Sequence, residues 1–174
     1  MIKISKKADY AVLIMASLAS RQAAHEAKGD LGDKQQDLLP ASAHDIADEN
    51  SLSQPLTANL LKVLTRAKLL ESVRGAGGGY RLAQPRFEIS LAQILEAVEG
   101  PFRLVECAGA AEDHDHEACS LSGHCLSRSA MRVVHSRIAN LMAQIQLPEL
   151  IDHAHKLGHA PVPEHVGAVV LRRP

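Results

Sequence analysis

The sequence predicts a mainly α fold carrying one small β-hairpin, and three observations point there. Apolar residues recur at spacings of three and four along most of the chain, which is a helical period. The stretch from Leu69 to Leu82 breaks that period around a glycine-rich turn, Gly75-Ala76-Gly77-Gly78-Gly79. The longest regular apolar stripe lies near the end, from Ser122 to Gln146.

The first helix is expected to start behind Ser5, a residue suited to an N-cap, and to bury Ala8, Ala11, Val12, Met15, Leu18 and Ala19. From Arg21 to Pro40 the chain turns polar and carries Gly29, Gly32 and Pro40, so residues 21–40 read as an exposed insert. Ser42 then caps a short helix through Ile46 and Ala47. Asn50 and Ser51 make a turn, and Pro55 suits the first turn of the next helix. That helix points Leu56, Leu60, Leu61 and Leu64 inward, while Gln54, Thr57, Ala58, Asn59 and Lys62 face elsewhere. Two short helices joined by a tight turn make a helix-turn-helix pattern, and the hairpin after them is its wing. Ser90 caps a further helix through Ile94, Leu95 and Val98 that ends at Gly100-Pro101. In the long helix, Leu126, Ala130, Val134, Ile138, Leu141 and Ile145 share one face, and Pro148 opens a short last helix. The expected organisation is a winged helix-turn-helix over 1–100, a cysteine-bearing loop over 101–126, a dimerisation helix with a short last helix over 122–157, and a loose tail over 158–174.

Composition narrows the function. The 174 residues carry 22% charged and 46% hydrophobic side chains, as a water-soluble globule does. There is no Trp and only two Tyr and two Phe, which excludes a platform that stacks single-stranded bases. The net charge of −1 averages two opposite regions. Residues 54–86 hold Lys62, Arg66, Lys68, Arg74, Arg81 and Arg86 against the single acid Glu71, a surface suited to phosphates. Residues 106–117 hold Glu106, Glu112, Asp113, Asp115 and Glu117 with no base. No apolar run reaches the roughly 18 residues of a membrane span, and three cysteines are an awkward count for an exported disulfide protein, so the cytoplasm is expected. No nucleophile–base arrangement suggests an enzyme, and no small-molecule substrate is expected.

The candidate sites follow from chemistry. Asn59 suits a bidentate pair with an adenine edge, Thr57 a thymine methyl group, and Lys62 a phosphate. Arg74 at the wing suits the narrower groove. Cys107, Cys119 and Cys125 are all the cysteines of the chain, and they lie in one acidic, irregular stretch. Three thiolates suit a soft metal or an iron–sulfur cluster. His114, His116 and His124 make zinc a competitor, and a thiol redox switch is a third option. The apolar face of the long helix seeks a partner beyond the winged core. A second copy of the chain supplies one, along with the two-fold symmetry that palindromic duplex sites require.

These residues resemble the Rrf-two family of winged-helix regulators, which includes IscR-type and NsrR-type iron–sulfur sensors. The resemblance covers residues 1 to about 150. It rests on Lys6-Lys7-Ala8-Asp9-Tyr10-Ala11-Val12, on Asp45-Ile46-Ala47, on Ser72 through Leu82, on Ile94 through Pro101, and on the cysteines. Pro55 and Leu60-Leu61-Lys62 resemble the branch that regulates SUF cluster assembly. The resemblance implies a homodimer with crossed long helices, a recognition helix in each major groove, and cluster loops near the dimer interface. By position it implies Ser53, Asn59 and Arg74 as DNA contacts, beside Gln54, Thr57 and Lys62 from the same helix. It also implies Cys107, Cys119 and Cys125 as cluster ligands. The chain departs from the family where IscR-type members carry a ligating His, since Arg128 stands there. The fourth ligand is therefore open between Asp9, the position from which NsrR-type members supply a carboxylate, and His114, His116 or His124. The cluster type, 2Fe–2S or 4Fe–4S, is open too. The expected function is a transcription regulator, a repressor, sensing cluster status or redox and nitric oxide stress. The alternative is a zinc- or thiol-dependent adaptor that binds protein through a helix-turn-helix-like core.

Overall fold

The computed structural model describes residues 3–27, 40–75, 77–105 and 125–156. Six α-helices and one two-stranded sheet appear there, in the order α1 (Lys6–Ala27), α2 (Ala43–Glu49), α3 (Gln54–Arg66), β1 (Leu70–Val73), β2 (Gly79–Leu82), α4 (Leu91–Glu99), α5 (Arg128–Gln144) and α6 (Leu147–Lys156). The winged helix-turn-helix expected from the sequence is present.

Ser5 starts α1 as expected, with its Oγ accepting the Ala8 amide at 3.2 Å. The helix runs through Arg21 to Ala27, which corrects the insert expected from Arg21 onward for residues 21–27, whereas residues 28–39 lie outside the described residues. Residues 21–27 are mostly good helix formers, and two of them also find partners. Arg21 is clamped to the Glu49 carboxylate of α2, with Nε to Oε2 at 3.0 Å, and Glu26 pairs with Arg86 at 2.9 Å. Polar residues on a helix end that has partners need no loop.

The core sits where α1, α3, α4 and α6 converge. Ile14 and Met15 of α1, Leu60, Leu61 and Leu64 of α3, Ile94 of α4 and Leu147 of α6 are fully buried. Each such side chain contributes about 1.5–3 kcal/mol from removal of apolar surface from water. Ser90 forms a capping box with Gln93 at the start of α4, and Gly100 ends that helix at φ +83°, a conformation that favours glycine.

Two links tie the long helix to this core. Ser90 and Gln146 form an antiparallel bridge, in which the Leu147 amide donates to the Ile89 carbonyl and the Leu91 amide to the Ile145 carbonyl, both at 2.9 Å. The C-terminal end of α5 is thereby sewn to the start of α4. The expected start of the long helix is corrected: of the residues from Ser122 on, 122–124 lie outside the described residues, and 125–127 precede the helix, which begins at Arg128. Leu126, placed on the helical stripe by its spacing, lies in that turn and is 97% exposed.

Candidate nucleic-acid interface and cysteine site

Ser42 positions α2 through a capping box with Asp45. Its hydroxyl accepts the Asp45 amide at 3.1 Å, and the Asp45 carboxylate accepts the Ser42 amide at 3.3 Å. The bond from Ser42 is the main cause that holds the Asp45 carboxyl below its ordinary value. After Glu49 the chain turns sharply. Ser51 takes φ +52°, its amide reaches the Asp48 carbonyl at 3.1 Å, and the Leu52 amide reaches the Ala47 carbonyl at 2.9 Å. Ser53 occupies the N-cap of α3 in an extended conformation, and Pro55 follows within the first turn. This is a helix-turn-helix with α3 as its second helix.

Most of the expected contact residues lie on the outer side of α3. Ser53, Gln54, Asn59, Lys62 and Arg66 are exposed. Thr57 is the exception and corrects the sequence reading. Its side chain is 0% exposed and its buried hydroxyl has no hydrogen-bond partner among the described residues. The spacing explains the misreading, because Thr57 lies three residues before Leu60 and four before Leu61, on the buried stripe. A threonine there fills core space and cannot touch a base.

The wing stands beside α3. Leu70 pairs with Leu82, Glu71 with Arg81, Ser72 with Tyr80 and Val73 with Gly79. Arg81 forms an ion pair with Glu71 across the strands, whereas Arg74 sits exposed at the tip. A further bridge joins Tyr80 to Ala41, with paired amide–carbonyl bonds of 2.8 and 3.0 Å, and so fixes the wing against the residue that leads into α2. Gly79 makes that approach possible, since a Cβ there would collide with the Ala41 carbonyl. The glycine-rich motif thus sets the position of the wing relative to the helix pair, beyond merely turning the chain.

One feature of this surface had no signature in the sequence. His44, exposed on α2, lies with Nδ1 2.8 Å from the Gln54 amide nitrogen. A single histidine in a polar helix announces nothing by spacing.

The cysteine site is only partly within the described residues. Cys107 and Cys119 lie outside them, as do His114, His116 and His124. Cys125 is half-buried just before α5, its sulfur 3.2 Å from the Ser127 hydroxyl. Hydrogen bonding from Ser127 is the first cause that draws the Cys125 thiol below its ordinary value. A thiolate is the form that ligates metal and the form that reacts. Among the described residues no three His, Cys, Asp or Glu groups converge as a metal site. Asp9 is exposed in the first turn of α1. The donor set fits an iron–sulfur group in kind: one cysteine at the mouth of α5 has its thiol drawn below the ordinary value by Ser127, and two more precede it in the same stretch of sequence.

No helix among the described residues is long and apolar enough to cross a membrane. Comparison with known proteins agrees with the fold. A family profile described as "Rrf2: Iron-dependent Transcriptional regulator" matches residues 4–153. The HTH-type transcriptional regulator IscR of Aliivibrio salmonicida is 31% identical over 150 residues, covering 86% of this chain and 77% of that protein. Among solved structures, IscR of T. potens superposes with a TM-score of 0.61 at 26% identity, covering 91% of this chain and 93% of its own. CymR of B. subtilis, described as the global cysteine regulator, superposes with a TM-score of 0.59 at 26% identity, covering 88% and 98%. The helix-turn-helix, the wing and the match over nearly the whole described chain lead to one conclusion: this protein belongs to the Rrf2 family of transcriptional regulators and is not an enzyme.

Proposed function

We propose that this regulator binds palindromic duplex DNA as a homodimer, and that an iron–sulfur cluster held by Cys107, Cys119 and Cys125 governs that binding, with repression of cluster-assembly genes as its role. The observation that carries the DNA reading is the exposed set of Ser53 at the N-cap and Gln54, Asn59 and Lys62 on α3, with Arg74 at the tip of the adjacent wing. In this reading α3 enters the major groove, Asn59 pairs with a base edge, Lys62 meets phosphate and Arg74 enters the neighbouring groove.

Dimerisation is supported by α5. The helix has no buried residue in the single chain, and Val133, Val134 and Leu141 expose 53%, 40% and 56% of their surface. Covering such a face is favourable, and a second copy of α5 matches it by symmetry.

When bound, the cluster supplies an oxygen-, iron- and nitric-oxide-sensitive set of metal–thiolate bonds. The chain's own residues supply the rest. Ser127 favours the thiolate of Cys125, and Cys125 lies three residues before the first residue of α5. The bridge between Ser90 and Gln146 joins the far end of α5 to α4. A rearrangement at Cys125 therefore has a rigid route along α5 to the winged core. Asp9 competes with the three histidines as fourth ligand.

A second reading has two observations in its favour. The lowered pKa of Cys125 also suits a thiol switch, and a structural relative is named for cysteine regulation. Duplex binding by anaerobically purified protein, before and after chelation of its iron, tests the two. Under the cluster reading chelation changes affinity, and thiol oxidation without iron loss does not. Under the thiol reading the reverse holds.

A further inference from the structure

The carboxamide of Gln54 is held by one residue of α2, His44. Its Nε2 lies 2.8 Å from Nδ1 of His44. On the other side of the imidazole, Nε2 lies 3.5 Å from a carboxylate oxygen of Asp48, one turn further along α2. An amide nitrogen can only donate, so Nδ1 of His44 accepts in this contact. Asp48, His44 and Gln54 thus form a relay across the turn, from α2 to the first residue of α3, in which the His44–Gln54 step is the hydrogen bond and Asp48 is a charged neighbour of the ring.

We propose that His44 is a specificity-determining positioning residue: it fixes which atoms of Gln54 face the DNA, and so sets a preference for adenine at the Gln54 contact. The proposal rests on the reading that α3 enters the major groove. With one amide hydrogen committed to His44, Gln54 presents Oε1 and its second amide hydrogen outward. An acceptor beside a donor is the complement of adenine N6–H and N7. A donor at position 44 instead captures Oε1 and leaves only N–H groups, which complement the guanine acceptors O6 and N7. Both His44 and Gln54 are exposed, so substitution there leaves the core untouched.

The test uses the full-length protein and a pool of randomised duplexes. Sites selected by wild-type protein are compared with those selected by Gln54→Ala, which identifies the base pair that Gln54 reads. Adenine and guanine versions of that pair are then measured with wild-type, His44→Ala and His44→Lys protein. Wild-type protein is expected to favour adenine by about tenfold or more. His44→Ala is expected to lower that ratio several-fold by freeing the carboxamide, and His44→Lys to shift it toward guanine. The added charge of His44→Lys strengthens binding to every duplex, so the ratio is the readout that mere structural support would not move. Unchanged ratios in both His44 variants, with the preference abolished by Gln54→Ala, overturn the relay and leave the recognition helix in place. If Gln54→Ala flattens no position while duplexes are still selected, Gln54 reads no base and the relay falls with it. If wild-type protein selects no duplex at all, the DNA reading itself fails.

Discussion

The imidazole of His135, on α5, is stacked on the ring of Phe102, with centroids 5.2 Å apart and planes inclined by 13°. Its Nδ1 accepts the backbone amide of Leu104 at 3.4 Å. Phe102 and Leu104 lie in the segment that leaves α4, so one side chain fastens that segment to the long helix. The stack contributes about 1 kcal/mol. His135→Ala should lower stability by that order and speed hydrogen exchange at the Leu104 amide. His135→Phe should restore the stack but leave Leu104 unprotected, as read by residue-resolved exchange. Equal protection of Leu104 in all three proteins would remove this fastening.

Thr57 gives a prediction of opposite sign. Its buried hydroxyl lacks a partner among the described residues. Leaving such a group unpaired costs about 1–3 kcal/mol. Thr57→Val should therefore be neutral or stabilising in a denaturant titration, by up to about 1 kcal/mol, and should leave base preference unaltered. A variant with a changed base profile would return Thr57 to the DNA surface.

Asn59 and Lys62 are expected to fail differently. Asn59→Ala should relax preference at one base pair at a cost of about 1–3 kcal/mol. Lys62→Ala should weaken all duplexes alike and flatten the slope of log affinity against log salt by about one unit. Identical behaviour of the two variants in a salt series would displace α3 from the groove.

The seam on α5 is tested by charge. Val134→Glu/Leu141→Glu places two carboxylates on the proposed dimer face, where an unpaired buried charge is strongly unfavourable. Light scattering should show monomer, with operator affinity lost. Because neither residue is buried in the single chain, melting of the winged domain should persist. A dimer of unchanged mass would put the interface elsewhere.

Much of the fold was legible because local signals agreed with the packing. Ser5, Ser42 and Ser90 each cap the helix that their position suggests, and Gly100 ends α4 where the glycine stands. The exceptions have separate causes. Arg21 and Glu26 look like loop residues until Glu49 and Arg86 pair with them. Leu126 continues an apolar stripe by spacing, yet the helix begins two residues after it. Thr57 is polar by type and core by position. The relay through His44 depends on a contact between residues ten apart, across a turn whose geometry the sequence only sketches.

Reactivity of Cys125 follows from its hydrogen bond. In a protein whose only cysteine is Cys125, made by Cys107→Ser and Cys119→Ser, the thiolate should appear below the ordinary thiol range. Alkylation by iodoacetamide should therefore begin at lower pH than for a free thiol. Ser127→Ala removes the first cause of that shift and should move the profile back upward. Profiles that coincide would show that Ser127 does not tune the thiol.

The central claim is that three cysteines of this regulator hold an iron–sulfur cluster. Anaerobic purification followed by a visible spectrum, with iron, acid-labile sulfide and zinc determined on the same sample, tests it most directly. The account predicts a coloured protein holding iron and sulfide together, with both lost from Cys107→Ser, Cys119→Ser and Cys125→Ser. A colourless protein holding zinc, or no metal at all after anaerobic reconstitution with iron and sulfide, would contradict it.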